Sequence, residues 1–327
     1  MNQEEFVRRY ESDWQTVTDL LDAMEGHGGK RVKNPKGIGN FPFLYRRVCQ
    51  QLALARDRDY AAHLIDRLNS LVLRGHQHLY EARAGTWSGF VQAVAVKFPN
   101  QIRSQALIFW VATALMFLPA LGLAFAITQA PDLVYTVLEP TQVDTFEEWY
   151  RPDTQALGRD RGDDTDFSMF GFYIRNNIGV GFRTFAGGLL FGIGSAFFLV
   201  FNGVYFGAVA GHLINAGFAE TFFAFVIGHG AFELTAIVLA GMAGLKLGLA
   251  LIAPARLPRL RALRECARDS IGIVYAVVFM LVIAAFLEAF WSSSSAVSPQ
   301  IKFAVGTALW LFVAVYLMFA GRGRGPQ

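Results

Sequence analysis

Apolar positions recur at helical spacing early in the chain and then merge into unbroken runs. Phe6, Tyr10, Trp14, Val17 and Leu21 fall on one helical face, and that helix is expected to end near Gly26. Leu44, Val48, Leu52 and Ala55 mark a second helix, and Ala61, Leu64, Leu68, Leu71 and Leu79 a third. Residues 1–105 therefore predict a small helical bundle. Its last part, WSGFVQAVAVKF over Trp87–Phe98 and closed by Pro99, has the pattern of an amphipathic helix lying in a membrane interface. The glycine-rich loop GHGGKRVKNPKGIGN is basic but is no phosphate loop, because no strand precedes it and no GK[ST] occurs.

Beyond residue 105 the apolar runs are long enough to cross a hydrocarbon layer of roughly 30 Å. They predict spans at 106–128, 180–201, 203–217, 221–250, 270–290 and 301–320, with Pro119 inside the first and a break at Asn202-Gly203. The span 203–217 is short and has the length of a re-entrant helix. The loop 129–175 holds ten acids against four arginines, whereas 253–269 holds five arginines against two acids. Positive segments stay in the cytoplasm, so 129–175 is expected outside, and the N-terminal domain, the 253–269 loop and both termini inside. The fold class expected is all-α: a polytopic helical membrane protein, with a cytoplasmic helical domain at 1–105 and a transmembrane domain at 106–327.

Composition strengthens that picture. Hydrophobic residues make up 54% of the 327 and charged residues 17%, against roughly 25% charged in a soluble domain. A wholly soluble enzyme is excluded. The net charge of +3 is too small to suggest nucleic acid as a partner. Two cysteines exclude a disulfide framework and a cysteine-rich metal knuckle, and no cofactor motif is present. The first 30 residues contain no apolar stretch, so insertion is expected to rely on the internal segments.

Candidate chemistry concentrates between residues 176 and 252, which carry 15 of the 32 glycines. Gly203, Gly207 and Gly211 form a doubled GxxxG, Gly188 and Gly192 another, and Gly244 and Gly248 share a face with Ala236 and Ala240. Small residues let backbones approach in lipid, so these stripes predict helix packing within the chain or a homodimer seam. His229 and Glu233 stand at i, i+4 on that small-residue face. An ionisable residue at membrane depth needs a partner, and His212 and Arg183 are the candidates. Three uses stay open for this cluster: a buried pair that locks helix register, an ion- or proton-coupled path, and a metal site of His212, His229 and Glu233. The last is the bare minimum for zinc and lacks an HExxH second histidine. Asn202 is expected to cap a tight turn, and Glu288, beside Phe290 and Trp291, to anchor an interface.

The stretches NNIGVGFRTFAGGLLFGIGSAFFLVFNGVYFGAVAGHL and HGAFELTAIVLAGMAGLKLG resemble the stage II sporulation protein M family. LYRRVCQQLALAR, LIDRLNSLVLRGHQHLY and KFPNQIR extend the resemblance into the head. It implies a multi-pass protein of the bacterial inner membrane. It also implies a non-enzymatic scaffold that assembles or localises envelope- and wall-remodelling enzymes. The family's namesake lacks a head as long as residues 1–105, and long-headed relatives neighbour AAA-type ATPases. The alternatives are a transporter or channel built on broken glycine-rich helices, and an intramembrane metal-dependent hydrolase.

Overall fold

The computed structural model describes residues 2–26, 37–81, 91–152 and 163–322. They are helical and fall into two compact units, 1–90 and 91–327.

Among the described residues, the first unit has three α-helices: α1 (Gln3–Glu25), α2 (Phe41–Asp57) and α3 (Ala62–Glu81). Asn2 starts α1 by accepting the Glu5 N–H at 2.9 Å, and Gly26 ends it at φ 85°, a left-handed position that suits glycine. The faces predicted from the spacing meet in one core. Phe6, Trp14, Val17 and Leu21 of α1 pack with Val48, Leu52 and Ala55 of α2 and with Leu64, Leu68 and Leu71 of α3. The indole N–H of Trp14 donates to Gln51 Oε1 at 2.6 Å, so a buried polar edge is satisfied. At the other end Arg74 binds both Asp22 and Glu25, and His78 Nε2 lies 3.1 Å from Glu25 Oε1. The guanidinium holds the Glu25 carboxyl below its usual range, and the carboxylate in turn raises Arg74.

The second unit begins earlier than residue 106. A π-helical turn, Ala93–Lys97, runs without a break into α4 (Phe98–Ser104), so Pro99 sits inside a helical run and does not close one. Phe98 and Ile102 join the core that contains Ala112 and Met116. Arg103 donates to the carbonyls of Leu317 and Ala320 at 2.7 and 2.6 Å. These contacts move the domain boundary from 105 to 90. Residues 87–90 of the expected interfacial helix lie outside the described residues.

The bundle continues with α5 (Ala106–Gln129), α6 (Pro140–Tyr150), α7 (Asp163–Ala186), α8 (Ile193–Asn215) and α9 (Ala219–Ile252). It ends with α10 (Arg259–Phe286), prolonged by a π-helical turn at Leu287–Ser292, and α11 (Pro299–Phe319). Among the described residues, α5, α8, α9, α10 with its extension, and α11 are long and apolar enough to cross a membrane. Helix α7, with Arg175, Asn176, Asn177 and Arg183, falls outside that set by composition. Packing nevertheless gives it the return run between two of them. A Cβ placed on Gly203, Gly207 or Gly211 would strike the backbone of Met116, Ala120 or Ala124 respectively, so α8 lies parallel to α5. The chain must therefore return between them, and α7, about 36 Å long at 1.5 Å per residue, supplies the return.

The expected break at Asn202-Gly203 is not there. α8 runs unbroken through both residues, and Asn202 Nδ2 donates to the Phe198 carbonyl one turn back at 2.6 Å. The chain turns instead at Gly187–Gly192, where Phe191 and Gly192 take φ of 55° and 82°. In an apolar helix Asn can satisfy itself on the i−4 carbonyl, and Gly203 serves close approach. Consequently 180–201 and 203–217 are not separate spans, and 203–217 is no half-helix.

Candidate functional site

Helix α9 carries the sequence's leading pair. His229 is 5% exposed, and its Nε2 lies 3.9 Å from Glu233 Oε2, one turn on. The same face continues through Ala236, Ala240, Gly244 and Gly248, all buried. Gly244 faces the Thr184 and Phe185 carbonyls and Gly248 faces Gly192, so α9 closes directly onto the α7–α8 turn. Gly188 presses on Gly244, and Ser195 Oγ donates to the Thr184 carbonyl at 2.6 Å. The predicted packing glycines therefore all lie in intrachain seams.

The third member is Glu288, which the sequence pattern assigns to an interface. The π-helical turn after α10 carries both Glu288 and Ser292 toward α9, and such bulges re-aim side chains where regular helix would not. One ligand-type atom from each of His229, Glu233 and Glu288 falls within 4.8 Å of the others. His229 Nδ1 is 3.0 Å from Ser292 Oγ, and Asn177 Nδ2 of α7 donates to Glu288 Oε2 at 3.3 Å. Asn176 Nδ2 donates in turn to Asn177 Oδ1 at 3.2 Å. Phe225 closes over the imidazole, ring centroids 5.2 Å apart.

Lys302, the nearby ammonium of α11, is 9% exposed and donates to the Ser292 carbonyl at 2.7 Å, not to either carboxylate. A cavity of about 140 Å³ lined by Tyr150, Thr221, Phe225, Lys302 and Ser292 reaches this edge of the cluster. Burial pushes the Tyr150 phenol upward, and its ring packs edge-on against Phe222 and Phe225.

The two other expected members are elsewhere. His212 sits near the end of α8, and its Nε2 pairs with Glu147 Oε1 of α6 at 2.9 Å. Arg183 is exposed, and its Nε donates to the Gly179 carbonyl at 3.0 Å. Helical phase explains this second correction: six residues separate it from the buried Asn177, about 240° around the helix. The trio His212, His229 and Glu233 is thus replaced by His229, Glu233 and Glu288, and Glu288 is part of an internal cluster. One signal could have found it, an acid inside an apolar run.

Two carboxylates and one imidazole face each other with no guanidinium or ammonium bonded to them among the described contacts. Two negative charges that close repel strongly in apolar surroundings. The arrangement is suited to holding protons or a cation, or to fixing helix register by hydrogen bonds.

A model of the stage II sporulation protein M family matches residues 105–293, and a domain of unknown function (DUF8413) matches residues 4–81. No curated protein and no solved structure matches the chain. The first match spans α5 to the π-helical turn and includes Asn177, His229, Glu233, Glu288 and Ser292 together with every seam glycine. It covers more than half of the chain, which is therefore a multi-pass membrane protein belonging to the stage II sporulation protein M family.

Proposed function

We propose that this protein is a non-enzymatic scaffold of the bacterial inner membrane, which assembles or localises envelope- and wall-remodelling enzymes. The observation that carries the reading is the closed seam of α5 and α8, where three successive glycines meet main chain. A transport path would use a helix broken at mid-membrane. Here α8 is continuous at Asn202, and the turn at Gly187–Gly192 is sealed by Gly244 and Gly248. A rigid core with a separate helical head is the economy of an anchoring protein. The head and both termini are assigned to the cytoplasm on the arginine-rich 253–269 loop, and an AAA-type ATPase is a candidate partner there. A second copy is a further candidate, although the glycine stripe is already occupied by α5.

The test follows a fluorescently tagged wall hydrolase of the host cell. Removing the chain should disperse the enzyme from its site in the membrane, and restoring the full chain should return it. The same purified protein in sealed liposomes should pass neither protons nor small ions. Flux that disappears with Glu233→Gln would replace the scaffold by a transporter.

A further inference from the structure

When ionised, Glu233 and Glu288 of this cluster have no cation bonded to them among the described contacts, so they need protons or a bound cation. Both acids project into a helix interface, and the nearest ammonium, Lys302, is committed to the Ser292 carbonyl. The imidazole is already oriented. Its Nδ1 is held at 3.0 Å by Ser292 Oγ, which leaves Nε2 directed at Glu233 Oε2, 3.9 Å away. Glu288 is likewise steadied by Asn177, a residue only 2% exposed. A histidine fixed through its far nitrogen and a carboxylate fixed by an amide are the supports that surround bound metal ions.

We propose that His229, Glu233 and Glu288 bind one first-row divalent cation of the zinc class, which ties α9 to the end of α10. Two carboxylates and a dication sum to zero, which removes the repulsion and suits an apolar interior. Zinc binds N and O ligands at about 2.0–2.2 Å in a tetrahedron, so its ligand atoms stand roughly 3.3–3.6 Å apart. The three atoms here lie within 4.8 Å, and side-chain movements of about 1 Å close the set. An imidazole nitrogen among the ligands selects zinc-like ions over magnesium and calcium, which take oxygen shells. This site does not depend on the scaffold reading and assigns no reaction to the ion.

The experiment uses the full chain in detergent, purified on a tag free of histidine and stripped with a chelator. Zinc is then added, excess is removed by gel filtration, and bound metal is counted by elemental analysis beside the melting temperature. One zinc per chain and a higher melting temperature are expected, with no rise from magnesium. Glu288→Gln keeps an acceptor for Asn177, so its metal-free form should melt at or above the parent while zinc and its stabilisation are lost. Glu233→Gln should behave alike and gives the same reading should the first variant fail to accumulate. Asn177→Ala should weaken zinc roughly tenfold. His212→Ala and His78→Ala, at the other histidine–glutamate pairs, should bind as the parent does. A parent that retains no zinc overturns the proposal, as does zinc that survives both Gln variants or disappears with His212→Ala.

Discussion

In the N-terminal unit, Phe6, Trp14, Leu21 and Leu68 fill the space between three helices, each fully buried. In the membrane unit, α5 and α8 touch where side chains are missing, at Gly203, Gly207 and Gly211. Water drives the first kind of core by rejecting large apolar surface. Lipid offers no such drive, so the second kind depends on close backbone approach. Charge follows the same division. The acids Asp22 and Glu25 have Arg74 between them and lie partly in water. The acids Glu233 and Glu288 have neither an arginine nor a lysine bonded to them among the described contacts.

The contrast is easiest to break at the seam. Gly207→Leu puts a side chain where the Ala120 main chain already lies, and neither helix can yield without parting from the other. That variant should fail to accumulate as a folded species in gel filtration. A normal elution and melting profile would show that α5 and α8 do not meet there. In the head the opposite change is the damaging one: Trp14→Ala leaves a large void and strands Gln51. It should destabilise that unit by about 3–5 kcal/mol, seen as faster amide exchange in α1 and α2.

At the buried acids, Glu233→Leu and Glu233→Gln separate hydrogen bonding from charge. Under the scaffold reading, Gln should assemble and melt almost as the parent does in metal-free buffer. Leu, which strands the His229 edge, should lose about 1–3 kcal/mol. Equal loss in both would point to a required charge.

The smallest effect is at Arg74. Because the Glu25 carboxyl is held below its usual range, its contribution is present above the unfolded value and disappears only as pH falls through the lower, folded one. Arg74→Met should cost about 1 kcal/mol at neutral pH and flatten the loss of α1 protection that the parent shows as pH falls below about 4.5. Identical acid curves for parent and variant would mean that Arg74 and Glu25 do not interact in solution.

Periodicity was enough to find the head helices, the small-residue faces and the His229–Glu233 pair, because each is a relation within one helix. What it could not supply was the partner across a seam. Glu288 lies 55 positions from Glu233 and reaches it only through the π-helical turn, which no local pattern announces. Asn202-Gly203 misled for a related reason: the dipeptide marks turns where water competes for the backbone. Inside an apolar helix the amide simply bonds to Phe198, and the glycine meets Met116. Helix α7 was partly hidden because its first residues are acidic and counted with the loop, although Asn177 of the same helix is buried.

The parallel pairing of α5 with α8 also sets an order of events during synthesis. Helix α5 is the first of the apolar helices to leave the ribosome, but its mate is complete only about 90 residues later, after the polar return through α7. At roughly 5–20 residues per second that is a wait of several seconds or more. Throughout it, the stripe of Ala112, Met116, Ala120 and Ala124 is open to any helix nearby. Until residue 215 has emerged, α8 cannot cover that stripe along its whole length.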